Sequence, residues 1–212
     1  MTGVLWDLDG TLVDSAGDIA GAIDRMLVAT GRPALGEARV RTFIGDGARR
    51  LVDQCVAAVG GEASATDLAI FLAEYHAFPV VHTRMFDGIA DVLAAVDAPQ
   101  AVVTNKPEAL TRIILDRLGL ARHFGAIIGG DTLPTRKPDA APVRVALQQL
   151  GVTTGLLIGD GPADVGAARA AGIPLLGVGW GIAHPLGTDR LFATPAALLA
   201  ELRERGVARA SR

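Results

Sequence analysis

The sequence predicts an α/β fold: a parallel, Rossmann-like sheet with helices on both faces and a small helical segment inserted after the first strand. Three observations predict it. Short apolar runs alternate with longer stretches of helical period. One interval, from about 15 to 84, is helical throughout and holds no convincing strand. Polar and acidic residues gather just after the apolar runs, where open parallel sheets place their ligands.

The elements follow in order. Gly3 to Leu8 is an apolar run and reads as the first buried strand. Asp18 to Ala29, Glu37 to Ile44, Ala48 to Val59 and Thr66 to Phe78 then carry helical period, separated by Gly-containing turns. Gln100 to Val103, Ala126 to Ile128, Leu156 to Ile158 and Pro174 to Val178 are short, partly β-branched and read as further strands. Between them, Glu108 to Leu120 has apolar residues at 110, 113, 114, 115, 118 and 120, with Gly119 fitting a helix end. Pro142 to Leu150 and Ala163 to Ala171 repeat the pattern, the latter closing at Gly172. Strand, helix, strand, helix is the order of a parallel sheet covered on both faces. Arg203 to Arg212 reads as a helix end with a frayed tail.

Composition narrows the function classes. The 212 residues are half apolar, enough for one packed domain or a domain with a small insert. A net charge of -3 gives no reason to expect a nucleic-acid or anionic-membrane partner. No apolar run approaches the roughly 20 residues of a membrane-spanning helix. Asp7, Asp9 and Asp14 precede the first basic residue, Arg25, the wrong charge for a secretory signal. Cys55 is the only cysteine and reads as core filler, so the expected compartment is reducing and cytoplasmic. Of 20 basic residues only Lys106 and Lys137 are lysines, and both fall in loops after strands.

Those loops define the chemistry. After the first run come Asp7, Asp9, Gly10 and Thr11; after the second, Thr104, Asn105 and Lys106; after the third, a loop ending in Arg136 and Lys137; after the fourth, Asp160 and Asp164. Carboxylates brought together repel one another, and a hard divalent cation, Mg²⁺ before zinc or copper, resolves the repulsion. Carboxylates, a cation, an ammonium and hydroxyl or amide donors suit phosphoryl transfer. Asp7 and Asp9 are two apart and would share a side of an extended strand, one as nucleophile and one as proton carrier. Gly10 would let backbone amides approach a phosphate, and Thr11 could bond within the turn. The turn Gly45-Asp46-Gly47, with Arg49 after it, could reach a substrate or simply join two helices. His76, His82, His123 and His184 are scattered, and only His184 is a weak candidate for the pocket.

The run VLWDLDGTLVDS resembles the first motif of the haloacid-dehalogenase-like hydrolases, in their phosphatase branch. VVTNK (102–106), TRKPD around Lys137 and LIGDGPAD (157–164) resemble the other three, in order. The resemblance implies that Asp7 is the nucleophile and Asp9 the general acid, then base. It implies a Mg²⁺ site from the Asp7 carboxylate, the Asp9 backbone carbonyl and Asp160, supported by Asp164. Thr104 and Lys137 would hold the phosphoryl group, with Gly10, Thr11 and Asn105 beside them. Residues 15–84 stand where the family carries a helical cap, with 1–14 and 85–212 as the hydrolase core. DGTLVDSAGDIA, FIGDGARRLV, VVTNKPE and GGDTLPTRKPDAAP are similar to the phosphoglycolate-phosphatase-like group. GDGPAD departs from it, with Gly161 where a serine is common.

The expected partner is a small phosphorylated metabolite, first of all 2-phosphoglycolate, and the expected assembly a monomer or small homo-oligomer. Its carboxylate would need a cation, for which Arg49, Arg50, Arg84 and Lys106 are candidates. A dehalogenase would not need Asp9, and a Schiff-base phosphonate hydrolase needs a lysine that 15–84 lacks. A sugar-phosphate or sugar-acid-phosphate phosphatase, a phosphosugar mutase and, more remotely, a non-catalytic binding protein stay open.

Overall fold

In the computed structural model, residues 1–182 and 190–210 are described; His184 lies outside them. The first half of the chain forms β1 (Thr2–Trp6), β2 (Val13–Asp14), α1 (Ala16–Ala29), α2 (Glu37–Arg41), α3 (Ala48–Ala58), α4 (Ala65–Ala77), β3 (Arg84–Met85) and α5 (Ile89–Ala95). The second half forms β4 (Gln100–Val103), α6 (Glu108–Arg117), β5 (Ala126–Ile128), α7 (Ala141–Gln149), β6 (Thr154–Gly159), α8 (Pro162–Ala171), β7 (Leu175–Val178), β8 (Leu191–Phe192) and α9 (Pro195–Glu204).

Six strands make one parallel sheet in the order β5-β4-β1-β6-β7-β8. The alternation of side chains along each strand builds two cores. Val4, Trp6, Val102, Leu156 and Ile158 face one core, shared with α5, α6, α9 and the helical segment. Leu5, Ala101, Val103 and Leu157 face the other, packed on Val143, Ala146, Ala167 and Ala168 of α7 and α8. Helices therefore cover both faces, and buried strands on both sides explain why the runs are apolar without alternation.

The chain leaves β1 to α1–α4, returns to β4 and β5 on one side, then crosses to β6 on the other. Reversal of direction beside β1 opens the crevice at its carboxyl end. Between Ser15 and Thr83 there is no strand; the antiparallel pair β2–β3 joins the two ends of this segment. Asp18 ties it shut. Its carboxylate accepts from the backbone N–H groups of Val81, His82 and Thr83 and from the Thr83 hydroxyl at 2.7–3.0 Å.

Three expectations are corrected. Helix α2 stops at Arg41 rather than Ile44, because the N–H groups of Thr42, Phe43 and Ile44 bond three residues back and tighten the chain into a turn. The stretch after Glu204 is not frayed throughout. Val207 and Ala208 are buried, Asp97 and Ala98 donate to the Val207 carbonyl, and Arg209 donates to Ala95. The helix α5 and the two-residue strands β2, β3 and β8 escaped the sequence reading; two residues carry no periodicity to read. Cys55 is fully buried, and burial pushes its thiol up to about 12, as core filler requires.

Candidate active site

The carboxyl ends of β1, β4 and β6 are neighbours in the sheet, so the loops after them converge. Asp7 still donates its N–H to the Ile158 carbonyl, continuing the ladder. The backbone then turns: Thr11, Leu12 and Val13 all donate to the Leu8 carbonyl at 2.9–3.2 Å. Asp7 and Asp9 therefore share one cavity through this turn rather than through a strand pleat. The cavity, about 440 Å³, has a floor of Asp7, Asp9, Thr104, Asp160 and other loop residues, and a roof from the helical segment.

Lys137 sits between carboxylates, with Nζ 2.9 Å from Asp7 Oδ1 and 2.6 Å from Asp164 Oδ1. Burial alone would lower its pKa, but Asp164 and Asp7 outweigh it and hold the ammonium above the ordinary lysine range. Asp7 moves the other way. Burial pushes it up to about 6, against the pull of Lys137 and with the push of Asp164. One buried lysine therefore does not neutralise this corner. Carboxylate oxygens of Asp7, Asp160 and Asp164 lie within 4.8 Å of one another, and this all-oxygen set fits a hard divalent cation.

Each partner is placed by its own loop. Asp164 lies in the first turn of α8; its Oδ2 accepts from the Gly161 N–H while Oδ1 holds Lys137. Asp164 thus opens α8 and holds Lys137 at once. A side chain at Gly159 would stand 2.3 Å from the Asp164 carboxyl carbon, so only glycine permits this approach. Asp160 accepts from the Thr11 hydroxyl at 3.2 Å and from the Ile182 N–H at 2.8 Å. Thr104 is buried, and its hydroxyl accepts from the Lys106 N–H, which leaves the hydroxyl hydrogen to donate into the cavity.

Several expected phosphate contacts have different local partners. The Gly10 N–H is already bonded to the Val13 carbonyl. Glycine is required there because φ is +83° and a Cβ would lie 2.2 Å from Asp160 Oδ2. Thr11 is fully buried and orients Asp160. Asn105 uses both amide hydrogens, donating at 3.0 Å to the carbonyls of Gly45 and Lys137, so it links the 45–47 loop to the Lys137 loop. Gly45, Asp46 and Gly47 do line the cavity, but Arg49 does not; its guanidinium pairs with Asp53 and the Ala63 carbonyl. Arg50 and Arg84 are exposed and pair with Asp46 and Asp14.

Asp9 accepts from Lys106 Nζ at 2.9 and 3.0 Å on its two oxygens, and from the Ser15 hydroxyl. Sequence reasoning missed Arg41, Gln54, Phe71 and Tyr75 in the roof. They lie on helices distant in sequence, and no local pattern marks which helix face meets the sheet.

Fold and site together define a hydrolase of the haloacid dehalogenase-like family: residues 4–178 match its family model, and the chain belongs to it. Among its relatives, the phosphoglycolate phosphatase of Pseudomonas putida is 39% identical, over 94% of this chain and 76% of its own length. The phosphoglycolate phosphatase of Rhodospirillum rubrum is 40% identical, over 84% of this chain and 79% of its own. A crystal structure described as a predicted phosphoglycolate phosphatase, from Haemophilus somnus, superposes with a TM-score of 0.87 at 29% identity, covering 95% of this chain and 97% of that one. No helix among the described residues is long and apolar enough to cross a membrane.

Proposed function

We propose that this chain is a Mg²⁺-dependent phosphatase that hydrolyses a small phosphate monoester through an aspartyl-phosphate on Asp7, with 2-phosphoglycolate as the substrate. The observation that carries it is the floor of the cavity: Asp7 beside Lys137, Asp160 and Asp164, with Asp9 on the same wall. The named relatives supply the substrate.

Asp7 Oδ1 takes both nearby donors, the Leu8 N–H at 2.8 Å and Lys137. The second oxygen is then the one presented to phosphorus. It forms the new bond as the bond to the leaving oxygen breaks, and Asp9 gives that oxygen a proton. In the second step water gives a proton to Asp9 and attacks phosphorus, and inorganic phosphate leaves Asp7. Lys137 and the Thr104 hydroxyl hold the phosphoryl oxygens. Asp7, Asp160 and Asp164 would hold Mg²⁺, which supplies charge neutralisation of those oxygens when bound.

Both Asp9 oxygens accept from Lys106, and one also accepts from the Ser15 hydroxyl. Giving a proton in the first step requires Lys106 to release at least one of its bonds.

Residues 15–84 act as a cap in this reading, and 1–14 with 85–212 as the hydrolase core. Asp18 fastens the root of the cap and Asn105 bridges its 45–47 loop to the core. Closure would exclude bulk water from the aspartyl-phosphate. The test is phosphate release from a panel of small esters with Mg²⁺ and with a chelator. Magnesium-dependent preference for 2-phosphoglycolate is expected. Preference for a sugar phosphate would keep the chemistry and change the substrate.

A further inference from the structure

Part of the cavity lining is polar and buried, yet incompletely bonded. Gln54 Oε1, Tyr75 OH and Asn105 Oδ1 are buried without a hydrogen-bond partner among the described residues, and all three residues line this one cavity. Buried polar atoms are normally satisfied, so three orphans around one space mark where a polar ligand or water belongs. Asn105 cannot satisfy its oxygen by rotating its amide, since both hydrogens are already given to Gly45 and Lys137.

Two cationic side chains are among those lining the cavity, Arg41 and Lys106. Arg41 is held by both oxygens of Asp14, at 2.9 and 3.1 Å, and its side chain is 34% exposed. Lys106 is buried, its side chain 3% exposed. Its ammonium touches Asp9 and lies over the Tyr75 ring, 4.6 Å from the ring centre. Asp9 serves the ester oxygen, so the atoms next to that oxygen in a bound substrate pass beside Lys106. Apolar side chains of Ile19, Leu51 and Phe71 close the remaining space and leave little room for an uncompensated charge.

We infer that Lys106 and Tyr75 form a receiving site for a carboxylate on the leaving group, which selects phosphate esters of short hydroxy acids over neutral esters. This rests on the phosphatase reading above. On binding, Lys106 turns at least one of its bonds from Asp9 to the substrate carboxylate, and the Tyr75 hydroxyl, now orphaned, donates to the same group. A carboxylate one carbon from the ester oxygen reaches Lys106 while that oxygen stays on Asp9. A neutral leaving group has nothing to offer Lys106 and leaves Asp9 engaged.

The test compares kcat/KM for 2-phosphoglycolate and ethyl phosphate, which differ in the carboxylate, for the full chain with Mg²⁺. The wild type should prefer 2-phosphoglycolate by about 30-fold or more, the scale of a hydrogen-bonded charge. Lys106→Met should collapse that ratio. Tyr75→Phe, which keeps the shape of the site and folds whatever becomes of a buried Lys106 substitution, should cut the ratio by about tenfold by acting on 2-phosphoglycolate alone. Equal rates on the two esters in the wild type, or variants that slow both esters equally, would overturn the inference and leave the phosphatase reading standing. No phosphate release by the wild type from either ester or from p-nitrophenyl phosphate would overturn both.

Discussion

In the helical segment, Asp18 and Asp67 are buried and held below the ordinary aspartate range; at the sheet's carboxyl edge, Asp7 is half-buried and pushed above it. Burial acts on all three in the same direction, so the partners make the difference. Burial alone would raise Asp18, but the Thr83 hydroxyl and the N–H groups of His82, Thr83 and Val81 outweigh it. Asp67 is lowered to about 2, chiefly by the Ser64 N–H and hydroxyl, with Arg32 at 2.6 Å adding to them. Asp7 has one lysine and one N–H, and it faces Asp164 and Asp9. Aspartates that hold the fold are surrounded by donors. The aspartates of the cavity floor are set against one another, and a cation and a phosphoryl group would share that unrelieved charge.

The largest stability effect that sharpens this contrast belongs to Asp18. Asp18→Ala orphans three backbone N–H groups and a hydroxyl, and should destabilise the chain by about 3 kcal/mol in denaturant unfolding. A loss below about 1 kcal/mol would mean that the link between α1 and residues 81–83 does not fasten the segment.

Magnesium should act only at the other site. At about a hundred times its dissociation constant, it should stabilise the wild type by about 2.7 kcal/mol. Asp160→Asn should lose most of this gain, while Asp67→Ala should keep it. Equal stabilisation in Asp160→Asn would move the metal elsewhere.

Asp67→Ala removes the capping box of α4 and the Arg32 pair, and should destabilise by about 1–2 kcal/mol. Its pKa is depressed, so its contribution is complete above the ordinary value of 3.8 and is lost as pH falls through about 2. The gap between wild type and variant should therefore be constant near neutrality and narrow from about pH 4 to pH 2. A gap that widens with acid would reverse the assigned sign.

The sequence carries the core better than the roof. Apolar runs ending in Asp7, Thr104 and Asp160 mark three strand ends because each strand is buried on both faces and its loop carries the chemistry. Only two lysines occur among 20 basic residues, so Lys106 and Lys137 stand out in the sequence itself. The partners of Thr11 and Asn105 are not legible, because each is fixed by residues from other loops: Asp160 for the first, Gly45 and Lys137 for the second. Arg49 misled for a local reason, since Asp53 stands one helical turn on and claims its guanidinium. Tyr75 and Gln54 reach the cavity through helix packing, which periodicity constrains to a face but not to a neighbour. Asp18 reads as an ordinary acidic residue in the first turn of a helix; its four donors arrive from residues 81–83.

The most direct measurement is Asp7→Asn, with phosphate release and thermal unfolding read on the same preparation. Asparagine keeps the shape and removes the charge that nothing fully compensates. With Asp7 as the nucleophile, turnover should fall by about a thousandfold or more while stability changes by less than about 1 kcal/mol. Near-normal phosphate release from folded Asp7→Asn protein would contradict it.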